Sequence, residues 1–324
     1  MKLLDVEKLS ISFTQYLKGL QQTELHVISD LTMTLNDHEI LAVLGSSGSG
    51  KSLLAESILG ILPNNANTSG KILYKDELLT QQLKEEIRGD KISLIPQSVN
   101  YLNPLMKIKQ QALGYIEDEE AYKQKEKKQQ ELFRRYGLKP EVDEMYPFQL
   151  SGGMARKVLL STALLNDPEI IIADEPTPGL DEKAVDEVIH DLIDLKNQGV
   201  GIILITHDII TALRCSDKIA ILYLGYVIEI TDTKNFTDDG SELYHPYTRA
   251  LYQALPNTDF KLTEGHQPSY NEIPKGCPYN MNCPYKTDKC VENLPELREI
   301  NGRRVRCFYP LVNDDENIQE GGWF

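Results

Sequence analysis

Apolar residues along the first 230 positions follow two patterns. The segments "LLDVEKLSISF" and "ISDLTMTL" alternate apolar and polar residues, as strands with one buried face do. The runs "EILAVLG", "EIIIADE" and "VGIILITHD" are almost continuously apolar, which indicates strands that are covered on both faces. The segment "KIAILYLGYVIEI" predicts a hairpin.

Predicted helices lie between these strands. They are "KSLLAESILGIL", the highly charged and solvated "IEDEEAYKQKEKKQQELFRRYG", and "SGGMARKVLLSTALLN", which begins at Ser151, a good N-cap residue. In "EKAVDEVIHDLIDLKNQ" five apolar residues share one helical face: Val185, Val188, Ile189, Leu192 and Leu195. Strands that alternate with helices indicate an α/β fold with a mostly parallel sheet and helices on both faces.

The composition changes at two places along the chain. From about residue 99 to residue 166, Lys, Gln and Glu become dense, which predicts a helical subdomain. After about Ile230, short segments rich in proline and cysteine replace the alternation of strands and helices. We therefore predict a main domain over residues 1–233 and a C-terminal extension over residues 234–324, with the boundary near Thr233.

Composition and charge narrow the class of protein. The 324 residues are 41% hydrophobic and 26% charged, which is ordinary for a globular protein. The net charge of −15 has the wrong sign for binding the phosphates of nucleic acid. No apolar run approaches the roughly 18 residues of a membrane helix. Because Asp5 and Glu7 interrupt the first ten residues, no signal peptide is predicted, and we expect an intracellular protein without structural disulfides.

A glycine-rich turn after the first buried strand carries the strongest chemical motif. It fits the pattern G-x-x-x-x-G-K-[ST] of the phosphate-binding loop (P-loop) and comprises Gly45, Ser46, Ser47, Gly48, Ser49, Gly50, Lys51 and Ser52. In such a loop the backbone N–H groups and the helix N-terminus face phosphate oxygens. Lys51 is expected to reach the β- and γ-phosphates, and the Ser52 hydroxyl is expected to help hold Mg²⁺. Leu53 completes the predicted ATP-binding segment.

Two adjacent acids end the second buried strand. Asp174 and Glu175 follow "IIIA", and the carboxyl ends of strands are where open α/β sheets bind ligands. Asp174 is expected to hold Mg²⁺, directly or through water. Glu175 is expected to accept a proton from the attacking water during hydrolysis.

Four further motifs resemble those of the ATP-binding cassette (ABC) ATPases. "LSGGM" at Leu150 to Met154 resembles the family's signature LSGGQ, with methionine in the last place. Gln97 resembles the Q-loop residue, "PGLD" at Pro178 to Asp181 resembles the D-loop, and His207 resembles the switch histidine. The resemblance implies a P-loop NTPase with a RecA-like core, an antiparallel β subdomain and an α-helical subdomain.

The resemblance also assigns roles to residues. In this family two cassettes pair head to tail, so Ser151, Gly152, Gly153 and Asp181 are expected to contact ATP held by a second cassette. Within one chain, His207 is expected to act with Glu175 and Lys51 in catalysis, and Gln97 to join Ser52 and Asp174 at Mg²⁺. An aromatic residue near the end of the first strand stacks on adenine in the family. Phe13 is our choice, with Tyr16 as the alternative.

The C-terminal extension resembles that of the oligopeptide, dipeptide and nickel importer ATPases. "HPYTRALYQALP" at His245 to Pro256 carries this resemblance. Some members of that family hold a [4Fe–4S] cluster on a cysteine motif that here comprises Cys277, Cys283, Cys290 and Cys307. A cluster, a zinc ion and buried thiols without a metal all stay open, and the cluster is our preferred prediction. The fifth cysteine, Cys215, is interpreted as part of the core.

The resemblance implies the ATP-hydrolysing subunit of an importer of peptides, or of nickel as a chelate. Its expected partners are two transmembrane permease subunits, a second and similar ABC ATPase in a heterodimer, and an extracellular binding protein that acts through the permeases. The expected location is the cytoplasmic face of the cell membrane. The alternative is an ABC ATPase with a role in repair, translation or regulation instead of transport.

Overall fold

The structure, a computed structural model, describes residues 1–16, 22–46, 48–237, 239–256, 268 and 273–312. Its strands are β1 (Lys2–Tyr16), β2 (Gln22–Asn36), β3 (Ile40–Leu44), β4 (Ala66–Tyr74), β5 (Glu77–Leu78), β6 (Ile92–Ile95), β7 (Ile170–Asp174), β8 (Gly201–Thr206), β9 (Lys218–Tyr223), β10 (Tyr226–Asp232), β11 (Arg298–Ile300) and β12 (Arg303–Val305). Its α-helices are α1 (Lys51–Leu59), α2 (Gln81–Ile87), α3 (Ile108–Leu113), α4 (Glu119–Arg135), α5 (Gly152–Ala163), α6 (Glu182–Asn197), α7 (Ile209–Cys215), α8 (Pro246–Gln253) and α9 (Asp288–Glu292). None of the helices described here is long and apolar enough to cross a membrane.

An eight-stranded sheet forms the centre of the protein, in the order β11-β12-β10-β9-β3-β8-β7-β6. Every residue of β3, β7 and β8 is buried, as their continuous apolar runs predict. The strands from β9 to β6 are parallel, whereas β10, β12 and β11 add antiparallel strands at one edge. The sheet is therefore mixed, because the predicted hairpin and the extension both contribute antiparallel strands to it.

A second sheet, in the order β2-β1-β4-β5, is antiparallel. Its alternating apolar residues, such as Val6, Ile11 and Leu31, are buried against α1 and one face of the central sheet. The opposite face of the central sheet is covered by apolar residues of α5, α6 and α7, which include Cys215 at 5% exposure. Helix α1, which follows the predicted phosphate loop, therefore packs between the second sheet and the central sheet.

The helical region follows β6 and has a small core of its own. Ile108, Phe133, Val142 and Val158 pack together there. The charged helix α4 buries only Gln129 and Phe133, so its remaining surface is solvated as predicted. The helix α5 begins where predicted, because the Ser151 side chain accepts a hydrogen bond from the Met154 N–H at 3.2 Å.

The C-terminal extension continues the central sheet. Strand β12 pairs with β10 in the register Glu229 to Val305. The Glu229 side chain is fully buried, and its carboxylate accepts the N–H groups of Tyr244 and His245 at the start of α8. Burial raises the pKa of Glu229. Strand pairing and this buried acid thus join the extension to the rest of the chain across the predicted boundary near Thr233.

Candidate nucleotide site and cysteine pocket

The predicted phosphate loop connects β3 to α1, and Ser47 lies outside its described residues. Gly50 is the N-cap of α1 with φ of 90°, a left-handed conformation that favours glycine. A Cβ at Gly50 would lie 2.9 Å from Ile28 Cγ1, so this position also lacks space for a side chain. The Lys51 amino group donates to the carbonyl oxygens of Gly45 at 2.7 Å and Ser46 at 2.9 Å. The loop therefore folds around the Lys51 amino group.

Two of the three predicted Mg²⁺ residues, Ser52 and Asp174, meet where β7 ends. The Ser52 hydroxyl donates to Asp174 Oδ2 at 2.9 Å, across 122 residues of sequence. Lys51 Nζ lies 3.9 Å from Glu175 Oε1, and both side chains are buried. Burial raises the pKa of Asp174 and lowers the pKa of Lys51. Lys51, Asp174 and Glu175 therefore place opposite charges together in a buried site, where any one of these charges alone would be costly to bury.

Glu175 and His207 form a close pair beside the loop. Glu175 has φ of 47°, an uncommon conformation for a residue with a Cβ, and its N–H donates to the Ile205 carbonyl at 2.8 Å. His207 Nδ1 donates to both carboxylate oxygens of Glu175, at 2.9 and 2.8 Å. The His207 side chain is 59% exposed, whereas that of Glu175 is 9% exposed. The arrangement holds a buried carboxylate in one orientation, as a general base requires.

Three buried oxygen atoms at this site have no hydrogen-bond partner in the described part of the chain. They are Ser46 Oγ, Ser49 Oγ and Asp174 Oδ1. Buried polar atoms without a partner are rare in proteins and need an explanation. Two hydroxyl groups and a carboxylate oxygen beside a lysine suit a triphosphate and the oxygen-preferring ion Mg²⁺. The residues present therefore fit MgATP.

The structure does not bring every predicted residue to this cluster. Gln97 follows β6 with an exposed side chain, and no hydrogen bond within the described residues joins it to Ser52 or Asp174. Phe13 and Leu53 are half-buried against the core beneath the second sheet. The side chain of Tyr16 lies outside what the structure describes. The metal role of Gln97 and the adenine contact of Phe13 thus stay predictions.

The predicted signature and D-loop residues lie on the exposed surface. Ser151, Gly152 and Gly153 are exposed at the start of α5, and a Cβ at either glycine would meet nothing within 4 Å. Asp181 is also exposed and caps α6 by accepting the Ala184 N–H at 2.9 Å. This placement leaves both helix starts accessible to another chain.

Sequence reasoning missed Arg156. This α5 residue donates to the carbonyl oxygens of Pro176 and, at 2.7 Å, Pro178. It thereby ties the helix that begins at Ser151 to the segment that follows Glu175. The hydrophobic pattern does not mark Arg156, because its partners are backbone atoms that come close only in the folded chain.

The four predicted cysteines of the extension line one small pocket. Cys277, Cys283, Cys290 and Cys307 contribute to it from separate turns of the chain. The Cys277 N–H donates to the Cys290 carbonyl at 2.8 Å. A Cβ at Gly276 would lie 2.2 Å from that carbonyl oxygen, so only glycine allows this approach. The family resemblance predicts a shared site for these four cysteines, and all four line this pocket.

The thiol positions alone do not establish a metal site. Among the described residues, no group of three or more His, Cys, Asp or Glu side chains is placed to hold a metal ion. Burial raises the pKa of Cys277 to about 11 and that of Cys307 to about 12. His245 also lines the pocket, and its Nε2 is buried without a partner in the described chain. The cluster therefore stays a prediction. A buried polar atom without a partner, such as His245 Nε2 in the described chain, is rare in proteins.

Two family models match the chain. Residues 28–178 match the family described as "ABC transporter". Residues 228–290 match the family described as "Oligopeptide/dipeptide transporter, C-terminal region". The first match spans the phosphate loop and Glu175, and the second spans three of the four cysteines of the extension.

Similar proteins extend the match to nearly the whole chain. The dipeptide transport ATP-binding protein DppD of Haemophilus influenzae is 31% identical over 99% of this chain and 100% of its own. The oligopeptide transport ATP-binding protein OppD of Salmonella typhimurium is 31% identical over 95% of this chain and 94% of its own. A dimeric, post-hydrolysis structure of the cassette MJ0796 with ADP and phosphate has a TM-score of 0.59 and 25% identity, over 71% of this chain and 99% of that chain. The chain therefore belongs to the ABC transporter family, among the dipeptide and oligopeptide transport ATP-binding proteins.

Proposed function

We propose that this chain is the ATP-hydrolysing subunit of an importer that takes up dipeptides or oligopeptides through separate permease subunits. The observation that carries the proposal is the cluster of Lys51, Glu175 and His207 beside the phosphate loop, in a chain that aligns end to end with peptide transport ATP-binding proteins. The relatives described above are named for peptides, which favours a peptide cargo over nickel. They also favour transport over a role in repair, translation or regulation.

Hydrolysis follows from the geometry of the cluster. Lys51 and the backbone N–H groups of the loop bind the β- and γ-phosphates. Ser52 and Asp174 would hold Mg²⁺, which would neutralise charge on the phosphate oxygens. Glu175 accepts a proton from the attacking water, and His207 keeps the carboxylate in position through Nδ1. In this ATPase site Lys51 would bind phosphate, Asp174 would bind Mg²⁺ and Glu175 would act as the general base.

A second ATPase completes the site in this proposal. The exposed Ser151, Gly152 and Gly153 begin a helix, and helix N-termini favour anions such as a γ-phosphate. These residues and Asp181 serve the ATP of the partner, whereas the partner's equivalent residues serve the ATP bound at Lys51. We propose a heterodimer with a paralogous ATPase, as the resemblance to this importer family implies.

A groove beside the helical region is the proposed permease contact. It measures about 380 Å³ and includes Tyr101, Gln111 and Leu159. Tyr101 lines the groove, Tyr115 follows the lining residue Gly114, and Leu105 precedes Met106, whose carbonyl accepts from the lining residue Gln111. We call Tyr101, Leu105 and Tyr115 the apolar border of the groove, and they are 66%, 86% and 88% exposed. Clustered exposed apolar side chains are typical of a surface that binds another protein. Gln97 follows Pro96, which lines this groove, and in this proposal it reports nucleotide state to a permease. The complex would lie on the cytoplasmic face of the membrane and receive cargo from an extracellular binding protein.

The transport proposal is tested by changing this groove. Leu105→Glu places a charge in the apolar border, and we expect it to reduce co-purification with the permeases and ATP-dependent peptide uptake by about tenfold or more. Leu78→Glu is the matched control, because Leu78 is 50% exposed on β5, away from the groove. An ATPase that binds no permease and supports no peptide uptake, with ATP binding intact, would contradict the proposal.

We also propose that the cysteine pocket holds a [4Fe–4S] cluster with a structural role. Four thiols around one pocket supply the ligands that such a cluster needs. In such a cluster each thiolate binds a different iron atom. A short extension with little core of its own gains stability from such a centre.

Metal analysis tests the cluster directly. Protein purified without oxygen is expected to contain about four iron atoms and four acid-labile sulfides per chain, and Cys283→Ser is expected to lose them. Cys215→Ser is the matched control, since Cys215 is a buried thiol of α7 outside the pocket. One zinc atom per chain would show that the pocket is a zinc site instead of a cluster site. Absence of both metals would contradict the proposal that the pocket holds a metal centre.

A further inference from the structure

One arginine of the extension reaches into the cassette. Arg306 is 1% exposed, and its guanidinium binds three separate segments. Nε donates to the Val227 carbonyl of β10 at 3.0 Å, and Nη1 donates to the Pro295 carbonyl at 3.1 Å. Nη2 donates to the carbonyl and the carboxylate of Asp30 on β2, at 3.0 and 2.9 Å. Arg306 therefore joins the extension to both β2 and the β9–β10 hairpin.

The same two segments form the floor of the phosphate loop. A Cβ at Gly50 would lie 2.9 Å from Ile28 Cγ1 and 3.2 Å from the Val27 carbonyl oxygen, so the end of the loop rests on β2. A Cβ at Gly45 would lie 3.1 Å from both Cβ and the carbonyl oxygen of Leu222, so the start of the loop rests on β9.

Arg306 binds each support a short distance from that contact. Leu222 pairs across the hairpin with Val227, whose carbonyl accepts from Arg306. Asp30 follows Ile28 by two residues on β2. The Ser29 N–H also donates to the Gly225 carbonyl at 3.0 Å, which joins the two supports to each other.

We propose that Arg306 is a positioning residue for ATP: by clamping Asp30 and Val227 it sets the floor against which Gly45 and Gly50 close around the phosphates. The C-terminal extension thereby contributes to ATP affinity without touching the nucleotide. A backbone that must present several N–H groups to one phosphate tolerates little displacement, so a loosened floor weakens binding. The inference needs ATP binding but neither the peptide cargo nor a cluster, so a failed uptake experiment leaves it standing.

The test compares ATP affinity in full-length variants. Arg306→Lys keeps the charge but loses the fork of donors that spans the two segments. We expect its Kd for MgATP, measured by calorimetry below the melting temperature, to rise about 5- to 20-fold. Arg303→Lys is the matched control, because Arg303 is also buried in the extension but hydrogen-bonds Asn235 and Glu242 instead of the floor. It is expected to lose thermal stability and keep wild-type affinity.

Two further variants test whether a change in the Kd for MgATP arises at the floor of the phosphate loop or at the cysteine pocket. Asp30→Asn keeps the backbone carbonyl that accepts from Arg306, and asparagine tolerates the φ of 49° at this position. Its Kd for MgATP is expected to rise about 2- to 5-fold. This variant tests the proposal even if Arg306→Lys fails to fold. Cys283→Ser alters the cysteine pocket without touching Arg306 and is expected to keep the wild-type Kd. Wild-type affinity in Arg306→Lys or in Asp30→Asn would overturn the proposal. An equal rise of the Kd in Cys283→Ser would overturn it too, because the effect would then belong to the pocket.

Discussion

Replacing Glu175 by glutamine is expected to slow ATP hydrolysis by about 10² to 10⁴-fold while ATP still binds. The amide has the shape of the carboxylate but cannot take a proton from water. Its oxygen can still accept the hydrogen bond from His207 Nδ1, so the local structure is expected to persist. Phosphate release at saturating MgATP and the Kd for MgATP are the two measurements, and only the first should change.

The control for Glu175→Gln removes the same charge elsewhere. Glu182 is exposed in the first turn of α6, and Glu182→Gln is expected to leave both measurements unchanged. Hydrolysis at the wild-type rate in Glu175→Gln would show that another group accepts the proton. The assignment of Glu175 as the base would then be wrong.

Replacing Lys51 by methionine is expected to weaken MgATP binding by about 10² to 10³-fold, because a charge-assisted bond in a desolvated site is lost. The free protein should keep its melting temperature or gain slightly. Burial lowers the pKa of Lys51, so its charge is costly to bury, and methionine has a similar length without that charge. The increase in melting temperature on adding MgATP should disappear.

Lys84→Met is the comparison for Lys51→Met. Burial also lowers the pKa of Lys84, which lies on α2 outside the loop. This variant is expected to keep both ATP affinity and the increase in melting temperature. If Lys51→Met bound MgATP as tightly as Lys84→Met, the loop would bind phosphate without its lysine.

Much of the nucleotide site could be predicted because its parts are local. The phosphate loop is one continuous segment, and the glycines that it needs are visible in the sequence. Asp174 and Glu175 end an apolar run, and such runs form the central strands of a parallel sheet. The carboxyl ends of β3 and β7 meet at one edge, which is why Ser52 reaches Asp174 across 122 residues.

Contacts with backbone atoms could not be predicted in this way. Arg156 and Arg306 bind carbonyl oxygens, and every residue type supplies a carbonyl. The positive φ of Glu175 is likewise absent from any residue pattern, since it depends on the β8 carbonyl that accepts its N–H.

The sequence by itself determined the class of this protein: an α/β ATPase with a phosphate loop and two acids at the end of a buried strand. Periodic burial and glycine-dependent turns are local properties, so they can be read one segment at a time. Only the tertiary structure decided that β12 joins the central sheet and that Arg306 binds β2 and β10 beneath the loop. Those contacts join residues up to 276 positions apart, and Arg306 can be buried there because four of its five N–H groups donate to oxygen atoms of three separate segments.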